Sequence, residues 1–201
     1  LGLVMEACAE NYIPIIVLDR PNPNGHYVDG PTLQQGYQSF VGKYKIPVVY
    51  GMTVGEYATM INEELWLSDS VYCQLKVVPV TGYAHDMVFA LPVPPSPNLP
   101  NAEAVRLYPS LCFFEGTTVS VGRGTKKPFQ QIGAPYMKNE FANYSFVPRP
   151  NAASTSPPYN GDTCFGIDLT PFAKNFLTSY NQIYLYWLIE SYNIAKDQCV
   201  D

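Results

Sequence analysis

The stretch Glu115-Gly-Thr-Thr-Val-Ser-Val-Gly-Arg-Gly-Thr125 gathers a carboxylate, several hydroxyls, a guanidinium and three glycines. Glu115 can serve as a general acid or base, and Arg123 can grip a carboxylate with paired, charge-assisted hydrogen bonds. The glycines allow φ > 0 and close backbone approach to a ligand. Spacing alone equally allows a glycine-rich hairpin with Glu115 and Arg123 as a surface ion pair. The preceding apolar run, Leu111-Cys-Phe-Phe114, reads as a buried strand, which places Glu115 at a strand end.

A second constellation is Asp19-Arg20-Pro-Asn22-Pro-Asn-Gly25. It follows the apolar run Ile13-Pro-Ile-Ile-Val-Leu18, which fits a strand of a parallel sheet buried on both faces. Residues 1–11 carry helical spacing, so helix, turn, strand and polar loop form half of an α/β repeat. Binding loops of open α/β sheets lie at the carboxyl ends of strands. The plain alternative is a proline-fixed turn. Of the two histidines, His26 is expected in a solvent-exposed loop. His85 beside Asp86 suggests a triad only superficially, since no Gly-x-Ser-x-Gly nucleophile elbow is present.

The chain has 201 residues, 47% hydrophobic and 14% charged, which suits a folded protein of one large or two small domains. A net charge of −5 gives no electrostatic footprint for nucleic acid or an anionic membrane. No apolar segment is long enough to span a bilayer. Five widely spaced cysteines and two histidines make a zinc site unexpected. Cys8, Cys73 and Cys112 read as small core residues, and a disulfide involving Cys164 or Cys199 is left open. The chain starts at Leu1 inside a helical pattern, as a processed or partial chain would.

The segment 20–50 reads as long and irregular. Thr53 followed by Glu56 is a capping box opening a helix to about Leu65, which favours a structural role for Glu56. A strand is expected over 71–80. The proline-rich run 90–100 reads as a linker or an ordered loop. A short helix over 102–108 is followed by strands over 129–132, 144–147 and 164–167. The segment 148–163 reads as a polar, proline-rich loop. A long amphipathic helix is expected over 176–195, with Leu177, Tyr180, Ile183, Tyr184, Trp187, Leu188 and Ser191 on one stripe.

Several motifs together resemble one family: Val17-Leu-Asp-Arg-Pro-Asn-Pro23, Gly51-Met-Thr-Val-Gly-Glu56, Pro95-Ser-Pro-Asn98, Glu115-Gly-Thr117, Ser120-Val-Gly-Arg-Gly-Thr125, Pro128-Phe129 and Gly133-Ala-Pro135. In that order the chain resembles the bacterial exo-β-N-acetylmuramidases. The resemblance implies an α/β fold, with residues 1–80 the later part of a Rossmann-like domain and 81–201 an α+β auxiliary domain. Thr118 stands where the family has Asn.

The resemblance further implies hydrolysis of the β-1,4 bond of non-reducing-end N-acetylmuramic acid (MurNAc) in peptidoglycan-derived muropeptides or disaccharides, with no cofactor or metal. Glu115 would be the catalytic or transition-state-stabilising carboxylate. Arg20 or Arg123 would clamp the lactyl carboxylate, while Asp19, Asn22, Thr117 and Ser120 would contribute to substrate binding. A periplasmic or cell-surface location follows from that substrate. Two other classes stay open: a non-catalytic carbohydrate-binding module, and a cell-wall esterase or amidase.

Overall fold

The computed structural model describes residues 1–141, 143–175, 179 and 181–197. The chain divides into two compact units, Leu1–Phe89 and Ala90–Asp201.

In the first unit, α1 (Gly2–Glu10) leads into β1 (Ile15–Leu18). β1 pairs in parallel with β4 (Leu75–Val78), Ile15 opposite Leu75 and Leu18 opposite Val78. A parallel pair needs a crossover. Here the crossover carries an antiparallel pair, β2 (Asp29–Thr32) with β3 (Pro47–Val49), followed by α2 (Val54–Glu63). The segment 20–50, read as irregular, therefore contains paired strands. α2 opens with the expected capping box: Glu56 N–H donates to Thr53 Oγ1 at 3.2 Å, and Thr53 N–H donates to Glu56 Oε2 at 2.8 Å.

Met5, Val17, Ala58, Ile61, Leu67 and Cys73 form the core of this unit. Buried Asn62 makes both side-chain bonds to the Cys73 backbone, satisfying polar groups that would otherwise be costly. Glu6 clips three segments together: Lys43 Nζ donates to Oε2 at 2.6 Å and Ser68 N–H to Oε1 at 2.7 Å. β1 is not buried on both faces as expected. Only Val17 is buried, and Ile16 and Leu18 are 61% and 74% exposed. The helices cover one face of the strand pair, and nothing among the described residues covers the other.

In the second unit, α3 (Ala102–Leu111) is capped by Asn101, whose Oδ1 accepts from Ala104 N–H at 3.0 Å. It does not hand over to a strand. Pro109 supplies no N–H to the helix, and the chain tightens into a 3-10 turn, Cys112–Gly116. Leu111 and Phe114 both face the core, a three-residue spacing that a strand would not give. The run expected as a strand is thus the end of a helix, and Glu115 lies in its terminal turn.

β5 (Gln131–Ala134), β7 (Cys164–Asp168) and β6 (Ser145–Phe146) form an antiparallel sheet with β7 central. Leu107, Leu111, Phe114, Phe129, Ile132, Met137 and Leu169 are prominent in the core packed on it. The long terminal helix is instead α4 (Thr170–Asn175) and α5 (Tyr186–Asp197). Ile183 and Tyr184 precede α5 in non-helical backbone, and Leu177 and Tyr180 lie outside the described residues. Cys8, Cys73, Cys112 and Cys164 are free thiols, and Cys199 lies outside the described residues. Among the described residues no helix is long and apolar enough to cross a membrane.

Candidate functional site

In the second unit, Ser120 pairs with Gly133 across the backbone in both directions, and Phe129 N–H donates to Val121 at 2.8 Å. These bonds close 121–129 into a loop. Gly122 and Gly124 flank Arg123 with φ of 76° and 81°, a conformation that disfavours a Cβ. The loop is fastened from behind by a polar network. Thr125 Oγ1 donates to Gly122 O at 2.7 Å, Gln131 Nε2 donates to Thr125 Oγ1 at 2.8 Å, and Tyr144 donates to Gln131 Oε1.

Arg123 is thereby aimed at Glu115. Its Nε and Nη2 both donate to Glu115 Oε1, and the guanidinium lies over the Phe129 ring at 4.9 Å. The two groups line a cavity of about 190 Å³ with Phe114, Thr117, Thr118 and Tyr159. Glu115 is the only acidic residue of that lining among the described residues.

The hydroxyls of this loop divide by function. Thr117 Oγ1 donates to Phe114 O and accepts from Val119 N–H, which shapes the turn. Ser120 is 2% exposed, and its Oγ accepts from Gly122 N–H. Both of these expected binding residues spend their hydroxyls on the fold. Thr118 is exposed and shares a hydrogen bond with Tyr136 at 3.0 Å.

Tyr159 joins the site without any signal in the sequence. It donates to Thr118 O at 2.6 Å and lines the cavity. Nothing local marks it, because it sits in a proline-rich loop and reaches the site only through tertiary folding. Tyr108 rests edge-on against Phe129 at 5.0 Å. Burial, and then the charge of Glu115, raise its hydroxyl above the usual value.

In the first unit the loop after β1 is equally fixed. Asp19 does not reach outward. Its Oδ1 accepts from Arg20 N–H and Gly55 N–H, and its Oδ2 accepts from Thr53 Oγ1 at 2.7 Å. A carboxylate at the helix start satisfies α2's unpaired amides and complements its dipole. Asn22 donates to Met52 O at 2.8 Å and accepts from Asn24 N–H. Arg20 is exposed, and among the described residues its side chain makes no hydrogen bond or ion pair, leaving it the outward group of this loop.

His85 also belongs here: Nε2 lies 2.9 Å from Glu56 Oε1 and Nδ1 lies 3.1 Å from Gly25 O. His26, expected in solvent, is half-buried with its ring 4.8 Å from that of Tyr27. Among the described residues no group of three His, Cys, Asp or Glu side chains converges to hold a metal ion.

This architecture has close relatives. The family model described as exo-β-N-acetylmuramidase NamZ, N-terminal, matches residues 1–103, and the corresponding C-terminal model matches 106–198. The peptidoglycan β-N-acetylmuramidase NamZ of Bacillus subtilis (strain 168) is 43% identical over 183 residues, covering 84% of this chain and 43% of its own length. A crystal structure of a DUF1343 family protein from Bacteroides fragilis NCTC 9343 superposes with a TM-score of 0.91 at 48% identity, over 96% of this chain and 54% of its own. A second protein of that description from the same organism gives 0.76 at 28% identity, over 98% of this chain and 54% of its own. The chain spans about half the length of these relatives. The match of both family models and the identity to the Bacillus protein show that this chain belongs to the exo-β-N-acetylmuramidase NamZ family.

Proposed function

We propose that this chain contributes to an exo-β-N-acetylmuramidase, which hydrolyses the β-1,4 bond of a non-reducing-end MurNAc residue in peptidoglycan fragments. The observation that carries this reading is the Glu115–Arg123 pair lining a cavity with Thr118 and Tyr159. A glycosidic transition state resembles an oxocarbenium ion, and a fixed carboxylate stabilises the positive charge that develops on it. Arg123 holds Glu115 in one place, so little reorganisation is needed when that charge appears.

A guanidinium has five N–H donors, and only two are spent on Glu115. The others, or exposed Arg20, suit the lactyl carboxylate that distinguishes MurNAc from N-acetylglucosamine. Glycoside hydrolysis uses a second carboxyl, roughly 5 Å away for retention and roughly 6.5–9.5 Å for inversion. In this reading that carboxyl reaches the cavity from another segment of the protein. The substrate class points to the periplasm or cell surface, in the recovery of cell-wall fragments.

A second reading is a carbohydrate-binding module without turnover, favoured by Glu115 being the single carboxylate of the cavity lining among the described residues. The test is release of MurNAc from MurNAc-β-1,4-GlcNAc by the 201-residue chain. Turnover that disappears in Glu115→Gln supports the proposal. Saturable binding by a folded chain without turnover supports the binding module, and turnover unaffected by Glu115→Gln removes Glu115 from the chemistry.

A further inference from the structure

Two segments of the first unit converge on the loop that carries Arg20. Tyr83 donates to Asn22 O at 3.1 Å, and His85 reaches Gly25 O at 3.1 Å and Glu56 Oε1 at 2.9 Å. Gly25 is buried, and a Cβ there would sit 2.5 Å from the Tyr83 hydroxyl. The loop is therefore clamped between the 83–85 segment and the start of α2. Both partners of the His85 ring are pure acceptors, one a carboxylate and one a carbonyl. A neutral imidazole has one donor and one acceptor, so it can satisfy only one of them. Only the imidazolium, with two N–H groups, satisfies both.

We infer that His85 is a positioning residue: as an imidazolium it fastens the 22–25 loop to the first turn of α2, and its deprotonation releases that loop. The consequence for sugar binding rests on the function proposed above, because that loop follows directly on Arg20. The surrounding charges agree with this protonation state. The hydrogen bond to Glu56, then that to the Gly25 carbonyl, raise His85 above its ordinary value. Burial pushes Glu56 upward, but the bonds from His85 and Thr53 outweigh it and lower its carboxyl overall.

Asp19, which lies close enough to act on Glu56, and Asp86, next to His85 in sequence, are the other acids of this neighbourhood, and Glu56 is the one whose charge acts on His85. Tyr83, with its ring 5.8 Å away, stays neutral across the working range, its hydroxyl raised first by burial. A raised folded-state pKa means that the clamp is complete below about 6.5 and is lost as pH rises through the His85 value.

The test is a side-chain and backbone NMR titration of the 201-residue chain from pH 5 to pH 9, where only two histidines need assignment. Both ring nitrogens of His85 are expected to be protonated at the acid end of the titration, with a midpoint above 6.5. The amides of Asn24, Gly25 and His26 should shift with that same midpoint. In Glu56→Gln, which keeps a capping group at that position, the midpoint should fall. In His85→Gln the loop titration should vanish.

A His85 midpoint at or below 6.5, or a Gly25 amide that ignores it, overturns the inference. MurNAc added below and above the midpoint separates the two claims. Coupled loop titration with no MurNAc binding at any pH supports the clamp and sinks the sugar-binding reading. Affinity that drops as the clamp opens supports both.

Discussion

Gly124→Ala is the sharpest perturbation of the Arg123 loop. Gly124 has φ of 81°, and a Cβ there would lie 2.7 Å from Arg149 O and 2.7 Å from both Cβ and Cγ of Pro157. The left-handed backbone costs an L-residue roughly 1–2 kcal/mol. The overlap adds roughly 1–3 kcal/mol, because one obstacle is backbone and the other a rigid ring. Arg149 N–H also donates to Gly124 O at 3.0 Å, so backing away strains that bond. Together these terms predict a loss of about 2–5 kcal/mol, read as a lower urea midpoint at unchanged slope.

Relief of the overlap must move the backbone next to Arg123, and a misplacement of about 1 Å at such a group can cost on the order of a hundredfold in turnover. The control is Gly116→Ala, where a Cβ meets nothing within 4 Å, and a change within about 0.5 kcal/mol is expected. A Gly124→Ala chain within about 0.5 kcal/mol of the parent, with Arg123 still on Glu115, would refute the reasoning.

Other expectations follow from the same geometry. Glu115→Gln should reduce MurNAc release by on the order of a hundredfold or more while leaving the urea midpoint close to that of the parent, since the Glu115–Arg123 pair is about one-third exposed and contributes little to stability. Thr53→Ala removes the acceptor for Glu56 N–H and the donor to Asp19, and should cost about 1–2 kcal/mol in urea unfolding. The Lys43 bond, then that from Ser68, lower the Glu6 carboxyl from 4.5 to about 2. A lowered acid stabilises the fold above its unfolded value, so this contribution is present above pH 4.5 and is lost as pH falls towards 2. With Lys43 one-third exposed, screening reduces it to about 1–2 kcal/mol, and Glu6→Gln should flatten the acid limb of a stability–pH curve by that amount.

The sequence by itself determined what is local. Thr53 and Glu56 sit at the spacing of a capping box, and the capping box forms. The glycines around Arg123 demanded a special backbone, and two of them have φ > 0. The ordered motifs carried the family. What the tertiary structure alone decided concerns groups whose partners are distant in the chain. Leu111-Cys-Phe-Phe114 is apolar at every position, so its period was undefined, and Pro109 together with core contacts made it a helix end.

Asp19 and Asn22 looked like ligand-binding groups, yet Thr53, Gly55 and Met52, some thirty residues onward, take up their hydrogen bonds. His85 and Glu56, 29 residues apart, became a pair only when the 83–85 segment folded onto α2. A short polar side chain advertises its chemistry in the sequence. Whether that chemistry faces a ligand or the protein's own backbone is set by which amides and carbonyls the fold leaves unpaired nearby.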